Sequence, residues 1–394
     1  MLSNRQLFLD HVAQTSHEPM ALEIVKAEGI YLYGIDSKRY FDLISGISVS
    51  NVGHCHPHVV SAIKTQSEKF MHLMVYGEYI SYPQVALSKK LSDLLPSSLN
   101  SVYLVNSGSE ATEGAMKLAK KYTNRSKIVS CNKAYHGSTH GALSILGDEY
   151  FKRNYRPLLP NTELIDYNSF DDLEMIDEQT AAVFMEVVQA EAAVILPQEG
   201  YLEAVRERCD KVGALLVFDE IQTGFGRLGT LFGFMQTEVI PDILLSAKGM
   251  GGGLPIGAFI SSKKLMSTFR DNPILGHITT FGGNPVTCSA SLAVLEVMEA
   301  ENLTEQVHRK SELFRSLLQH EKIKEIRSKG LMMALQFESE EMNFSFIKKC
   351  ISKGLIIDWF LFNTSSSRIA PPLIITESEI REACVLINEV LDDL

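Results

Sequence analysis

The middle of the chain alternates short, almost continuously apolar runs with longer amphipathic segments. Four of the apolar runs are rich in β-branched residues: Ser101–Val105, Lys127–Ser130, Ala181–Val188 and Ala214–Phe218. Runs of this kind are typical of strands buried on both faces, as in a parallel sheet covered by helices. The segments Ser109–Tyr122 and Tyr201–Gly213 have the pattern of helices. The alternation predicts an α/β fold with a mostly parallel sheet.

The last part of the chain departs from this alternation. A helical pattern over Pro285–His320 is followed by a β-rich segment at Ile323–Phe337, a helix around Phe344–Gly354 and a final helix from about Thr376. This order predicts a smaller α+β domain. We therefore expect an N-terminal segment, 1–45, that packs with the small domain, a large domain over 46–290 and the small C-terminal domain over 291–394.

Charge and cysteine usage exclude several classes of protein. The 394 residues carry a formal net charge of −11, which argues against a nucleic-acid partner. No apolar run has the length of a membrane span, and the first residues lack the apolar core of a signal peptide. The six cysteines lie far apart without a CxxC pair, which favours free thiols. We expect a cytoplasmic protein without a metal site.

A loop of small residues follows the first of the apolar runs. Asn106-Ser107-Gly108-Ser109-Glu110 leads into a predicted helix, where free backbone N–H groups and the helix dipole favour an anion. Ordinary helix capping by Ser109 explains the same residues. The run Ser101–Val105 is followed by neither GxGxxG nor GxxxxGK[ST], so the loop matches neither the dinucleotide nor the nucleoside-triphosphate motif.

An acidic residue, Asp219, ends another apolar run. The carboxyl end of a buried strand is where open α/β sheets bind ligands. A buried carboxylate is costly unless it meets a cation or strong hydrogen-bond donors. A protonated ring nitrogen of a cofactor, a metal ion or a structural ion pair would each satisfy it.

A lysine stands between a third apolar run and a cluster of glycines. Lys248 follows Ile243–Ser246, and five of the next nine residues are glycine. The glycines would let the chain fold closely around a flat ligand, and burial would lower the pKa of the amine and make it nucleophilic. The alternative is a solvated lysine beside a flexible loop.

Seven segments, taken together and in this order, resemble the class III (ω-type) aminotransferases, which include the ornithine, acetylornithine and 4-aminobutyrate aminotransferases. These segments are Asn106–Lys120, Tyr135–Ser144, Glu186–Glu191, Asp219–Arg227, Ser246–Gly257, Thr279–Pro285 and Arg368–Glu377. The resemblance implies the type I fold of transferases that use pyridoxal 5′-phosphate, with 46–290 as the cofactor-binding domain. It also implies a homodimer with active sites at the subunit interface.

The resemblance assigns the chemistry to a few residues. It implies that Lys248 carries the cofactor as an imine and moves the proton, that Asp219 pairs with the pyridine nitrogen, and that Gln222 contacts the ring hydroxyl. The implied activity moves an amino group from an amino acid, of α-, β- or ω-type, to a 2-oxo acid. An aminomutase or a decarboxylating transaminase would use the same lysine and aspartate.

The resemblance implies further cofactor contacts. The phosphate is expected to be held by Ser107, Gly108 and Ser109, and by Thr280 of the neighbouring subunit. The ring is expected to lie against Tyr135, with His136 and Glu186 beside it. Structural alternatives remain for several of these residues: core packing for Tyr135, a turn for Thr280, and buried hydrogen bonding for His136 and Glu186.

Arg368 matches the family arginine that binds a substrate carboxylate, and Glu191 matches the glutamate that pairs with it. A guanidinium suits this role because it engages a carboxylate with two hydrogen bonds. Ser138 stands where the ornithine and acetylornithine branch usually has an arginine for a second carboxylate. We therefore expect substrates with one carboxylate, unless Arg153 or Arg156 supplies the missing cation.

The chain departs from the family pattern a second time at Glu186-Val187-Val188-Gln189-Ala190-Glu191, which lacks the usual proline and glycine. This change is expected to shift the loop that bears Glu191. Two hypotheses from other classes are disfavoured. A nucleotide-dependent oxidoreductase is disfavoured because no GxGxxG follows the strand-like run Ser101–Val105, and a non-catalytic scaffold is disfavoured because Lys248 and Asp219 are both present.

Overall fold

The computed structural model describes residues 3–394 and contains three sheets. The strands are β1 (Ile24–Glu28), β2 (Tyr31–Gly34), β3 (Arg39–Asp42), β4 (Ser101–Val105), β5 (Lys127–Cys131), β6 (Thr162–Ile165), β7 (Thr180–Glu186), β8 (Leu215–Asp219), β9 (Ile243–Ser246), β10 (Gly257–Ser261), β11 (Glu325–Lys329), β12 (Met332–Gln336), β13 (Leu355–Ile356), β14 (Asp358–Phe360) and β15 (Asn363–Ile369).

Helices lie between the strands and at both ends of the described chain. They are α1 (Asn4–His11), α2 (Ser45–Ser48), α3 (Pro57–Lys69), α4 (Tyr82–Leu94), α5 (Gly108–Thr123), α6 (His140–Ser144), α7 (Glu149–Lys152), α8 (Tyr201–Val212), α9 (Lys263–Met266), α10 (Pro285–Ala300), α11 (Leu303–Leu317), α12 (Glu340–Lys353) and α13 (Glu377–Asp392). Among residues 3–394, none of the helices is both long and apolar enough to cross a bilayer.

The largest sheet has seven strands in the order β4-β10-β9-β8-β7-β5-β6. Strand β10 runs antiparallel to both of its neighbours, and the other pairs are parallel. Because β4 and β9 both oppose β10, β4 runs in the same direction as the parallel strands. The predicted α/β fold with a mostly parallel sheet is confirmed.

Both faces of this sheet are buried, which explains why its strands lack polar alternation. Val183 and Phe218 belong to one hydrophobic cluster, which includes Val205 of α8. Their chain neighbours Phe184 and Val217 point to the other face and belong to a second cluster with residues of α5. Full burial of each such side chain contributes roughly 1.5–3 kcal/mol, so the sheet rigidly positions whatever follows its strand ends.

The helical pattern over Pro285–His320 corresponds to two helices. The segment forms α10 and α11, which are separated at Asn302, whose backbone is left-handed with φ of 50°. An asparagine adopts this conformation more readily than most residues because its short polar side chain can bond locally.

The two smaller sheets carry the remaining strands. Strands β1, β2, β3 and β13 form one sheet, in which β3 pairs in parallel with β13, so that N-terminal and C-terminal residues share a sheet. Strands β11, β12, β15 and β14 form the other sheet, which is antiparallel. In it Asp358 of β14 lies directly opposite Arg368 of β15.

Candidate active site

A cavity of about 430 Å³ lies at the carboxyl ends of β4, β7, β8 and β9. A volume of this size is typical of small-molecule sites. Nine of the residues predicted from the sequence line it together: Ser107, Gly108, Ser109, Tyr135, His136, Glu186, Asp219, Gln222 and Lys248. They come from separate parts of the chain and meet because parallel strands end at one edge of the sheet.

The loop after β4 forms one wall of this cavity. Ser107 is the N-cap of α5, and its hydroxyl accepts a hydrogen bond from the Glu110 N–H at 3.2 Å. The N–H groups of Gly108 and Ser109 lie in the first turn and have no intrahelical partner. The loop therefore combines a helix cap with free N–H donors for an anion. The two interpretations of its sequence, helix capping and anion binding, are compatible.

Gly137 allows the neighbouring loop to approach Ser109. Its φ is +125°, and a Cβ atom there would lie 1.9 Å from the Ser109 Oγ. The Ser138 N–H donates to the same Oγ at 3.0 Å, which leaves the Ser109 hydroxyl proton free to donate elsewhere. Only glycine fits at position 137, because any side chain would collide with Ser109.

Asp219 lies at the centre of the cavity wall, and its side chain is 4% exposed. Its Oδ1 accepts a hydrogen bond from the Ile221 N–H at 3.0 Å, and its Oδ2 lies 2.7 Å from His136 Nδ1. Glu186 pairs with Asp219 across β7 and β8. Two carboxyl groups and an imidazole thus face one another in a buried site.

Glu186 and His136 each present a buried polar atom without a hydrogen-bond partner, Oε2 and Nε2 respectively. The other oxygen of Glu186 accepts from the Ala190 N–H at 3.1 Å. Burial, together with the charge of Asp219, raises the pKa of Glu186 well above its ordinary value. The site therefore contains unsatisfied polar atoms of the kind that a polar ligand satisfies.

Lys248 follows β9 in a 3₁₀ turn with φ of +45°. Burial lowers the pKa of its amine, and the nearby Glu191 acts in the opposite direction. The glycines around it permit close packing: a Cβ on Gly249 would lie 2.5 Å from Asn51, and one on Gly257 would lie 2.4 Å from the Ser107 carbonyl. The lysine is therefore partly buried on a rigid turn and is not a solvated surface group.

Arg368 lies beside the cavity and is 2% exposed. Its NH2 donates to Glu191 Oε2 at 2.8 Å and its NH1 to Gln222 Oε1 at 3.4 Å, while Gln222 donates to Glu191 at 3.0 Å. The guanidinium also stacks over the Phe360 ring at 4.6 Å. Gln222 lines the cavity and contacts both charged groups, so it connects the pair to the cavity.

Asp358 is a member of this cluster that the sequence analysis missed. Its Oδ1 lies 3.4 Å from Arg368 Nε, and its side chain is 17% exposed. Burial raises the pKa of this carboxyl to about 6, although Arg368 lowers it. The available signal was an acidic residue inside the apolar run Ile357-Asp358-Trp359-Phe360.

Several predicted residues lie outside the cavity. Thr280 is exposed in the loop before α10. Arg156 is exposed and pairs with Glu149 through two hydrogen bonds, at 3.0 and 2.7 Å. Arg153 is exposed over the Tyr150 ring, at 5.2 Å. Neither arginine reaches the cavity within this chain.

Comparison with known proteins identifies the family. The sequence model of the class-III aminotransferases matches residues 12–391.

The chain belongs to the class-III aminotransferase family.

Curated relatives cover almost the whole chain. The acetylornithine aminotransferase of Caldanaerobacter subterraneus subsp. tengcongensis is 38% identical over 383 residues, which is 94% of this chain and 95% of that protein. The acetylornithine aminotransferase of Archaeoglobus fulgidus is 38% identical over 376 residues, with 95% and 96% covered.

Solved class-III structures superpose closely on the fold. The ornithine aminotransferase from Toxoplasma gondii ME49 has a TM-score of 0.92 at 31% identity, with 100% of this chain and 96% of that chain covered. An adenosylmethionine-8-amino-7-oxononanoate aminotransferase from Methanocaldococcus jannaschii has a TM-score of 0.90 at 29% identity, with 99% and 98% covered. Because these neighbours bear different substrate names, the fold alone does not decide the substrate.

The family establishes the enzyme class and the cofactor. This class-III aminotransferase is an enzyme with the type I fold, and its cofactor is pyridoxal 5′-phosphate. The predictions of family, fold, enzyme class and cofactor are therefore confirmed, and the oxidoreductase and scaffold hypotheses are excluded. The cavity fits the cofactor, since it combines an anion-binding loop, a buried acid, a partly buried amine and the unsatisfied atoms of Glu186 and His136.

Proposed function

We propose that this aminotransferase takes the amino group of an ω- or β-amino acid with one carboxylate and prefers pyruvate to 2-oxoglutarate as acceptor. The supporting observation is that Arg368 is the guanidinium adjoining the cavity, whereas Ser138 occupies the position where relatives would supply another. The Ser138 hydroxyl lies 2.9 Å from the Tyr135 hydroxyl. Among residues 3–394, the cavity lining includes Lys248 but no arginine.

The names of the relatives support the same donor class. The curated relatives are acetylornithine aminotransferases, and N-acetylornithine carries one carboxylate and one free amine at its far end. The carboxylate of such a donor lies far from the reacting amine, so Arg368 can stay paired with Glu191 while the donor reacts. We therefore include N-acetylornithine among the donors to be tested first.

We propose that the cavity residues divide the work as follows. Pyridoxal phosphate, when bound, supplies the electron sink for the broken bond and carries the amino group between half-reactions. Lys248 would hold the cofactor and then remove and return the proton with its Nζ, since burial keeps more of the amine in the unprotonated form. Asp219 would bind the ring nitrogen and keep it protonated.

The remaining contacts would orient the cofactor and exclude water. The phosphate would be bound by Ser107, Gly108 and Ser109, and the ring would lie against Tyr135, with Gln222, His136 and Glu186 at its edge. Holding the reacting groups in one geometry removes much of the entropic barrier.

Glu191 would govern access to Arg368. In its ion pair the arginine is neutralised, so the cavity accepts the uncharged chain near the ω-amine of a donor. When the carboxylate of an acceptor arrives, Glu191 would release Arg368 to bind it. This movement would break the hydrogen bonds of the Glu191 side chain with Gln222 and the Leu361 N–H, but it would break no strand pairing of the large sheet.

We further propose a cytoplasmic homodimer. Large apolar side chains are exposed in two adjoining segments: Met71 at 67%, Ile80 at 93%, Tyr82 at 77%, Ile274 at 76% and Phe281 at 57%. The rings of His72 and Phe281 lie 5.1 Å apart and join the two segments. Apolar surface of this extent is typical of an interface. Thr280 lies within it, so it would complete the phosphate site of the partner.

The cytoplasmic location is supported by six free cysteines, five of them buried.

We also propose that the chain divides into an N-terminal segment, 1–45, a large domain, 46–290, and a small domain, 291–394. The pairing of β3 with β13 supports this division, because it joins the N-terminal segment to the small domain.

Steady-state kinetics with a panel of amino donors tests the proposed function. We expect kcat/KM for pyruvate to exceed that for 2-oxoglutarate, with ω-amino donors turning over fastest. A clear advantage for 2-oxoglutarate would contradict the proposal. Product analysis separates transamination from the aminomutase and decarboxylating alternatives, because an aminomutase needs no acceptor and a decarboxylase releases CO₂.

A further inference from the structure

Two carboxylates lie beside the guanidinium of Arg368. Glu191 Oε2 lies 2.8 Å from its NH2, and Asp358 Oδ1 lies 3.4 Å from its Nε. The three charges sum to −1 when both acids are ionised. The guanidinium is thus more than neutralised before any substrate arrives.

The two carboxylates are held differently. Glu191 belongs to the loop after β7 and is bound by the Gln222 amide at 3.0 Å and by the Leu361 N–H at 3.3 Å. Asp358 belongs to β14, and its backbone lies opposite that of Arg368 in the sheet. A loop can move Glu191 away from the arginine, but the strand pairing keeps Asp358 beside it.

The contact between Asp358 and Arg368 is electrostatic and lacks a good hydrogen bond. Asp358 Oδ1 and Arg368 Nε are both buried, and neither has a hydrogen-bond partner. Asp358 therefore contributes its charge to the site without fixing the orientation of the guanidinium. A residue that only positioned Arg368 would be expected to form the bond.

We infer that Asp358 is a specificity-determining residue, which weakens Arg368 as a binder of carboxylates and favours substrates that reach this end of the cavity with an uncharged chain. The inference rests on the proposed function and deepens it. When Glu191 swings away, a substrate carboxylate still shares the guanidinium with Asp358. Two like charges on one cation repel each other, and burial strengthens the repulsion.

The test uses the holoenzyme and the isosteric variant Asp358→Asn. The probes are butyrate, a dead-end competitor that binds through its carboxylate alone, and butylamine, a donor without a carboxylate. Assays are run well above pH 6, where Asp358 is ionised. We expect butyrate to bind about tenfold more tightly to the variant. KM for the acceptor pyruvate should fall with little change in kcat, and kcat/KM for butylamine should not change.

Two controls separate specificity from structure. Glu338→Gln removes a carboxylate that is 75% exposed and pairs with Lys324, and it should leave the affinity for butyrate unchanged. The absorbance of the bound cofactor should be the same in all three proteins. If Asp358→Asn folds poorly, Asp358→Ser provides a second neutral side chain.

The inference would be overturned if Asp358→Asn and Asp358→Ser bound butyrate more weakly than the unmodified protein or equally well. If Asp358 only supported Arg368 structurally, its removal would weaken the binding of butyrate. Changes of equal size in the affinity for butyrate and in kcat/KM for butylamine would overturn it too. These outcomes differ from failure of the proposed function, which would show as the absence of transamination by the unmodified protein.

Discussion

The imidazole of His136 is hydrogen-bonded to the carboxylate of Asp219, with 2.7 Å between Nδ1 and Oδ2. Both groups are almost fully buried, and the other oxygen of Asp219 accepts a hydrogen bond from the Ile221 N–H. The carboxylate is thus fixed in orientation before a ligand binds. Such preorganisation means that little rearrangement is needed when charge develops in the site.

The carboxylate of Asp219 should be essential for turnover. Asp219→Asn keeps the shape but removes the negative charge, so we expect the variant to bind the cofactor and to lose about 10²-fold or more in kcat. Stopped-flow measurement of the half-reaction with a single donor checks this. Asp242→Asn is the control, because Asp242 precedes β9 and so lies at the amino ends of the parallel strands, away from the cavity. Near-normal turnover of Asp219→Asn would assign the acid another role.

Lys248 should carry the cofactor covalently. Reduction of the holoenzyme with borohydride, followed by peptide mapping, should find the pyridoxyl group on this lysine. Lys248→Ala should retain no covalently bound cofactor and no transamination, whereas Lys263→Ala, at an exposed lysine, should behave like the unmodified protein. A label on a different lysine would refute the assignment.

Gly137 should be required for binding of the cofactor phosphate. In Gly137→Ala the new Cβ would lie 1.9 Å from the Ser109 Oγ, so the loop must shift. We expect the Kd for pyridoxal phosphate to rise about tenfold or more. Gly200→Ala is the matched control, since Gly200 also has a positive φ, +77°, but has open space around it. If the two variants lose the same affinity, backbone strain and not the collision is responsible.

Substitution of Ser138 should change the preferred acceptor. Ser138→Arg places a guanidinium at the position of the absent cation, and we expect the ratio of kcat/KM for 2-oxoglutarate to that for pyruvate to rise roughly thirty- to a hundredfold. Ser138→Ala controls for loss of the contact with Tyr135. An unaltered ratio in Ser138→Arg would mean that position 138 does not face the second carboxylate.

A charge in the exposed apolar surface should break the dimer. Ile80 is 93% exposed, and burying an aspartate there at an interface costs on the order of 2 kcal/mol or more. We expect Ile80→Asp to sediment largely as a monomer with weak cofactor binding, because the partner's Thr280 would be lost. Val385→Asp, at a residue of α13 that is 58% exposed, should remain dimeric. An active monomer that retains its cofactor would contradict the dimer proposal.

Much of the fold and of the cavity was predictable from local sequence. Strand β4 has the predicted bounds, and α5 begins and ends within one residue of the prediction. Short apolar runs identify buried strands, and the residue after each run necessarily lies at the carboxyl edge of a parallel sheet. Local pattern therefore placed Ser107, Asp219 and Lys248 at strand ends, and the family resemblance assigned them to one cofactor site.

Long-range pairing decided the rest. The pairing of Arg368 with Glu191, 177 positions away, was predicted only through the family resemblance, because it depends on how the antiparallel sheet packs against the loop after β7. The contact of Asp358 with Arg368 depends on the register of β14 and β15, which no local pattern specifies. The break between α10 and α11 depends on the left-handed backbone of Asn302. Sequence alone determined which residues stand at the strand ends, because a short continuous apolar run is a local property. Only the tertiary structure decided which charges face one another, because that is set by packing between distant segments.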